Sequence, residues 1–377
     1  MTSTLKTIAT FLFLLSGLTT YAQKTYRNVY EAIVNPDSFE VLLVGCPHDF
    51  PNANPCDSIP EKINKLKNLR IFSGSESRFC CLPETFNQLY NLEAFSLGEN
   101  QNFQTYELCK LVGLPKLKTL RLSFMGISEF PVCIGKIQSL EKLWLNLYGF
   151  NYPQAIRVLS ELPNLKSICI SLEENQSFPN NIQNLENLLY LRLDYSFVDI
   201  DSLVKYCAPM GLQGLGLAEI GLNTLSKDFW KMKGLIGLDL SGNSFDSIPN
   251  EILKLKNLRF LSLQNNSPHS DFFLGDEISN LDQIEYLDLS DTKFNLLPEG
   301  ITELKNLKFL NIHRSKVQNL TTIIPRMKEL KQLNIDLNKS NIEDIENLRT
   351  ICPDLIITDL LLVQLDNSDI LGELMTN

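Results

Sequence analysis

Residues 235–243 read Leu235-Ile236-Gly237-Leu238-Asp239-Leu240-Ser241-Gly242-Asn243. Leu238 and Leu240 alternate with Gly237, Asp239 and Ser241, the period of two expected of a strand with one buried face. With Met232 as position 1, apolar residues fall at positions 1, 4, 7 and 9: Met232, Leu235, Leu238 and Leu240. The same spacing recurs in Leu89-Leu92-Phe95-Leu97, Leu255-Leu258-Leu261-Leu263 and Leu304-Leu307-Leu310-Ile312. Twelve copies begin at residues 66, 89, 114, 137, 162, 185, 209, 232, 255, 281, 304 and 327, so they lie 23 to 26 residues apart. Of the 48 template positions, 46 are apolar, the exceptions being Gly74 and Pro209. The 44% hydrophobic content would fill about 21 of them by chance, so the repeat is real.

Each copy changes period along its length. Positions 7 and 9 alternate like a strand, while a segment such as Ile248-Pro249-Asn250-Glu251-Ile252-Leu253-Lys254-Leu255 has the spacing of a short helical turn. One strand and one return segment make a coil that cannot bury its apolar face alone, so neighbouring coils stack and their leucines merge into one core.

The nine residues quoted above match the LxxLxLxxN core of the leucine-rich repeat family almost verbatim, and the resemblance covers roughly residues 28 to 360. The 23-residue units with an LPxxI turn are the nearest in kind, seen in Ile59-Pro60…Ile63, Phe130-Pro131…Ile134, Phe178-Pro179…Ile182, Ile248-Pro249…Ile252 and Leu297-Pro298…Ile301. The resemblance implies an α/β leucine-rich repeat solenoid, a horseshoe with a parallel β-sheet on its concave face and short helical or 3-10 return segments. It also implies Asn at position 12, where a side-chain amide satisfies backbone groups between coils. Asn occurs there as Asn100, Asn243, Asn266 and Asn338, and Ser or Thr as Ser77, Ser196, Thr292 and Ser315.

The ends differ from the repeats. Lys6 precedes an apolar run from Ile8 to Leu18, and Thr20-Tyr21-Ala22 supplies small residues before Gln23, the pattern of a secretory signal peptide cleaved near Ala22. That run is too short to span a bilayer and no other is long enough, so stable membrane insertion is not expected. The expected organisation is a signal peptide over 1–22, an N-terminal cap with a degenerate first repeat over 23–58, repeats over 59–350 and a C-terminal capping segment over 351–377. The expected location is extracellular or periplasmic.

Composition narrows the function. The 377 residues carry 34 Lys+Arg against 44 Asp+Glu, a net charge of −10 with no basic cluster, which argues against nucleic acid. His48, His269 and His313 lie far apart, with no Cys or carboxylate at zinc-ligand spacing, so neither a metal nor another cofactor is expected. No GxSxG, HExxH, phosphate loop or CxxC occurs, and no catalytic residue is assigned. Six of nine cysteines lie within the first 133 of the 377 residues. In an exported protein that clustering suggests bridges, and Cys46–Cys56 and Cys109–Cys133 are the candidates, set against the alternative that all are reduced core fillers.

With positions 7 and 9 buried, positions 6, 8 and 10 face the concave surface, joined by 11 and 13 as the strand ends. Equal positions on neighbouring coils, about 4.8 Å apart, form rows. Position 8 reads Ser96, Arg121, Trp144, Cys169 and Arg192, flanked by Phe124, Leu147 and Tyr195 at position 11 and Tyr190 at position 6. Trp, Tyr and Arg dominate interface energetics, so this row is the first candidate for binding a protein or peptide. The bland alternative is that these side chains only cover one another. A second row at position 6, Phe260, Tyr286 and Phe309, with Arg314 and His313 beside it, has the form of a ladder for a peptide or for sugar rings, or of one that stiffens the sheet. Gly214, Gly216, Gly221 and Gly237 strip side chains from the surface between the two rows. The leading reading is a non-catalytic exported binding module for a protein or peptide partner. The alternatives are a binder of carbohydrate or cell-envelope polymer, and an enzyme or sensor without a recognisable motif.

Overall fold

A computed structural model describes residues 29–34, 36, 40–45, 59–75, 80–100, 102–123, 125–266, 271–337 and 342–359. They fall into two compact units: the described residues up to Glu173 with Pro179–Leu188, and Glu174–Phe178 with the described residues from Leu189 onward. The signal peptide expected over 1–22 lies outside the described residues, as do Phe124 and most of the segment after Asp359.

In the first unit the strands β1 (Val41–Gly45), β2 (Ile71–Ser75), β3 (Ala94–Gly98), β4 (Thr119–Ser123), β5 (Lys142–Asn146) and β6 (Ser167–Ile170) pair in chain order, all parallel. Position 7 is in register from strand to strand, Phe72 to Phe95 to Leu120 to Leu143 to Ile168, and all five side chains are buried. The Phe72 and Phe95 rings stack at 5.6 Å, and Phe86 meets both edge-on. The chain returns through short 3-10 turns at Glu61–Lys65, Glu84–Gln88, Thr105–Leu111 and Val132–Lys136 and through a helix at Tyr152–Leu159.

Proline explains the start of several return turns. Pro60, Pro131 and Pro298 hold an extended backbone at the N-cap, where a missing N–H costs nothing. Their carbonyls accept from the N–H of Ile63, Ile134 and Ile301 at 3.0, 3.1 and 3.2 Å, and each isoleucine is fully buried. The LPxxI spacing is thus a one-turn device that aims its isoleucine at the core.

The second unit contains β7 (Tyr190–Arg192), β8 (Gly214–Gly216), β9 (Gly237–Asp239), β10 (Phe260–Ser262), β11 (Tyr286–Asp288), β12 (Phe309–Asn311), β13 (Gln332–Asn334) and β14 (Ile356–Thr358), again parallel and paired in chain order. Each strand has three residues, but the ladder runs on past it: Leu193 N–H donates to the Gly216 carbonyl at 2.9 Å and Leu240 N–H to that of Ser262 at 2.9 Å. Position 11 then takes a left-handed backbone in coil after coil, at Tyr195, Glu219, Gly242, Asn265, Asp291 and Arg314, with φ between 53° and 66°. That conformation costs a non-glycine residue about 1 kcal/mol or more, and it turns Tyr195, Glu219, Asn265 and Arg314 outward into solvent.

Position 12 supplies the inter-coil polar ladder. The Asn243 amide donates to the carbonyls of Leu217 and Leu240 at 2.8 and 2.9 Å and accepts from Leu222 N–H at 2.9 Å. Asn266 repeats the pattern one coil on, donating to Leu240 and Leu263 at 2.9 Å each and accepting from Phe245 N–H at 3.1 Å. Thr292 and Ser315 both donate to the Leu289 carbonyl, so a hydroxyl does half of the same task.

Of the two proposed bridges, Cys109–Cys133 is formed, with its Cα atoms 5.5 Å apart, and joins two successive return turns. Cys46 and Cys56 lie outside the described residues. Cys80, Cys81, Cys207 and Cys352 are thiols. Among the described residues no helix is long and apolar enough to cross a membrane.

Candidate functional site

The residues of the expected position-8 row fall in both units and are described for each in turn. In the first unit, strand register places Ser96 beside Arg121, Arg121 beside Trp144, and Trp144 beside Cys169. The Arg121 guanidinium lies 4.8 Å from the centre of the Trp144 ring, a cation–π arrangement with Arg121 exposed and Trp144 half-buried. Leu147, expected on this face, is 1% exposed and belongs to the core. The reason is local: β5 ends at Asn146, and the left-handed residue of this coil is Gly149 (φ 61°), two positions later than in the coils of the second unit, so position 11 turns inward.

In the second unit Tyr190, Arg192 and Tyr195 come from one coil. Tyr195 is 65% exposed, whereas Arg192 is nearly buried. Arg192 donates to Asp194, through Nε at 2.7 Å and through Nη2, and Nη2 also reaches Asp239 Oδ2 at 3.3 Å. Asp239 is fully buried beside it and Asp194 mostly so, and desolvation pushes the Asp194 carboxyl above its usual range while the guanidinium opposes the shift. The glycines have a structural reason: a β-carbon on Gly214 would stand 2.7 Å from the Tyr190 ring, and one on Gly216 would stand 2.8 Å from Arg192 Cγ. They are the floor on which those two side chains lie.

Beyond Arg192 the position-8 row becomes a polar network rather than an open surface. Ser241 donates to Asp239 and shares a 2.7 Å hydrogen bond with Ser262. Further along, Asp288 accepts from Ser290 N–H at 2.9 Å and from Asn311 Nδ2 at 2.9 Å, Asn311 accepts from Asn334 Nδ2 at 2.9 Å, and Asn334 accepts from the Thr358 hydroxyl at 3.0 Å. Burial holds Asp288 above the ordinary carboxylate range.

The position-6 ladder is present and stacks on itself. The rings of Phe260 and Tyr286 are 4.5 Å apart and those of Tyr286 and Phe309 4.4 Å apart, near-parallel in both cases. Phe260 is 2% and Phe309 8% exposed, so their faces are occupied by neighbours. Arg314 stands apart from the ladder in an ion pair with Asp291 at 3.2 Å. His313, on the outward strand face, is nonetheless buried, and its Nε2 lies 3.0 Å from Asp359 Oδ1. Asp336 and Asp359 were not singled out in the sequence; strand register sets Asp336 beside His313 at position 10, and Asp359 follows β14 at the place equivalent to Ile335. The 23-residue separation of His313 and Asp336 is a signal that would have found that pair, whereas Asp359 joins them only through the 24-residue step from β13 to β14.

The chain folds as a leucine-rich repeat solenoid. No family model and no curated protein matches the sequence. Among solved structures, the chain is similar to an internalin of Listeria monocytogenes at 17% identity, covering 87% of this chain and 88% of that one with a TM-score of 0.49. It is similar to a leucine-rich repeat protein of Leptospira interrogans at 23% identity, covering 89% and 99% with a TM-score of 0.47. It is also similar to TLR13 in its complex with ssRNA13, at 18% identity, covering 79% of this chain and 52% of that one with a TM-score of 0.49.

Proposed function

We propose that this chain is a non-catalytic binding module, exported from the cell, that recognises a protein or peptide through the strand face opposite its core. The observation that carries the reading is the Arg121–Trp144 pair. A planar cation and a large aromatic ring are held together at 4.8 Å by strand register, on a face where the neighbouring side chains Ser96, Lys142 and Asn146 are small or polar. Such a pair offers aromatic area with few rotatable bonds to freeze and an exposed charge beside it, which favours a partner with an apolar side chain beside a carboxylate. The partner's chemistry is therefore an acidic-apolar protein or peptide surface. Export is supported by the Cys109–Cys133 bridge, since such bonds persist in oxidising compartments, and by the apolar run over 8–18.

The test is a pull-down from extracellular and envelope fractions with the wild-type protein and an Arg121→Ala/Trp144→Ala variant of equal circular dichroism. A protein retained by the wild type and lost from the variant supports the reading. Retention of the same material by both moves the binding surface elsewhere. Fractionation of cells expressing the full chain tests export: recovery only in the cytoplasm, with Cys109 and Cys133 reduced, defeats it.

A further inference from the structure

We infer that His313, Asp336 and Asp359 form a binding site for a divalent transition-metal cation at the end of the sheet in the second unit. One donor atom from each of the three side chains lies within 4.8 Å of the others, and His313 Nε2 and Asp359 Oδ1 are already 3.0 Å apart. Metal–ligand distances of about 2.0 to 2.2 Å separate two donors on one tetrahedral cation by about 3.4 Å, so a small inward movement of these side chains encloses an ion. The donor set is one neutral imidazole nitrogen and two carboxylates, a combination that suits zinc and its first-row neighbours better than calcium or magnesium, which favour oxygen alone.

The fold builds this convergence. His313 and Asp336 hold position 10 of neighbouring coils, Asp359 follows β14 one place earlier in its coil, and the coils are locked in register by hydrogen bonds from Ile312 N–H to the Asn334 carbonyl at 2.9 Å and from Ile335 N–H to the Thr358 carbonyl at 3.0 Å. Neighbouring coils stand about 4.8 Å apart at the backbone, which places His313 beside Asp336, and the side chains of His313 and Asp359 reach across the coil between them to meet. The supporting groups are also in place. The His313 backbone N–H donates to Asn311 Oδ1 at 3.1 Å and so holds the main chain at that position, and Asp359 Oδ2 accepts from Leu337 N–H at 3.2 Å, which leaves Oδ1 directed at the imidazole. A hydrogen bond to the carboxylate of this kind orients a ligand and sharpens affinity. The imidazole is 7% exposed at its side chain while Asp359 is 26% exposed, so the site has one open side for water or for a donor from a partner.

Calorimetric titration of the protein with Zn2+, and absorption spectroscopy with Co2+ as a probe with visible d–d bands, test the inference. The wild type is expected to bind one more equivalent of Zn2+ than His313→Gln and Asp336→Asn, with affinity at this site falling by about tenfold or more in each. Both variants should keep the wild-type circular dichroism. Because Cys80 and Cys81 are exposed thiols and thiolates are zinc ligands in general, the same comparison is made in a Cys80→Ser/Cys81→Ser background, where the difference must persist. The Co2+ spectrum of the wild type should show nitrogen–oxygen ligation that both variants lose. No binding by the wild type in the thiol-free background, or equal stoichiometry and affinity in wild type and both variants, overturns the site.

Discussion

Arg192 lies across Gly216 so closely that a single added methyl would stand 2.8 Å from its Cγ and 3.1 Å from its Nε. The missing side chain on one coil is therefore the condition for the charged side chain on the next, and the two positions behave as one unit. Gly216→Ala displaces the guanidinium from Asp194 and Asp239, so it should cost about 1 to 3 kcal/mol, as overpacking does. Arg192→Ala should cost more, about 3 to 5 kcal/mol, because two buried carboxylates lose their cation. In the Arg192→Ala background the glycine substitution should become nearly neutral. A double-mutant cycle by chemical denaturation measures this, and equal costs of Gly216→Ala in both backgrounds would falsify the coupling.

Adjacent asparagines should respond in opposite ways. Asn266 is fully buried, with its amide serving two carbonyls and one N–H, so Asn266→Ala leaves several backbone groups unpaired at about 1 to 3 kcal/mol each. Asn265 is exposed at φ 53°, the left-handed region where only glycine is unstrained. Asn265→Gly should leave stability unchanged or raise it slightly, while Asn266→Ala should lower the denaturation midpoint sharply. Similar midpoints for the two variants would mean that the ladder does not carry the inter-coil contacts.

These two neighbours also mark where the sequence is legible. The apolar template named the core correctly because each of its positions is decided by one physical quantity, burial: Leu235, Leu238 and Leu240 are all 0% exposed. The Asn243 and Asn266 ladder was readable for the same reason, since a buried polar residue at a fixed place in each coil needs a backbone partner. Alternation fails once the strand stops. Leu147 and Tyr195 share position 11, yet one is buried and the other exposed, because the left-handed residue falls at Gly149 in one coil and at Tyr195 itself in the other. Period two also says only which face a side chain leaves from. It cannot show that Asp239 on the outward face is 0% exposed, held among Arg192, Ser241 and Ser262, nor that His313 finds its partner 46 residues away. Those facts depend on contacts between coils, which only the repeat spacing encodes.

Asp288 predicts a pH dependence. It is buried, accepts from Ser290 and Asn311, faces the Tyr286 hydroxyl at 3.5 Å, and feels the negative charge of Asp239. Burial raises its folded pKa above the ordinary 3.8. Between that value and the raised one, the folded protein keeps a proton that the unfolded chain has released, so stability falls as pH rises through the window. Asp288→Asn cannot release a proton and should escape the loss. Melting temperatures of the two proteins, measured from pH 4 upward, should diverge in favour of the variant until the folded carboxyl is ionised. A difference that stays constant with pH would show that Asp288 is not protonated more readily in the fold.

The Cys109–Cys133 bridge should stabilise the first unit selectively. It closes a loop of 24 residues between two return turns, and the chain-entropy account assigns such a loop about 3 kcal/mol at room temperature. In a stacked-coil protein each coil is stabilised mainly by its neighbours, so the effect should be felt most strongly near the bridge. The two tryptophans provide the readout, since Trp144 lies in the first unit and Trp230 in the second. Trp230→Phe leaves Trp144 as the sole reporter, and Trp144→Phe leaves Trp230. Reductant, or Cys109→Ser/Cys133→Ser, should move the Trp144 fluorescence transition to lower denaturant and the Trp230 transition by much less. If both transitions move together, the chain unfolds as one cooperative body and the bridge stabilises all of it. If neither moves, the bridge contributes no net stability, and its value lies in surviving an oxidising environment without mispairing Cys109 or Cys133 with Cys80 or Cys81.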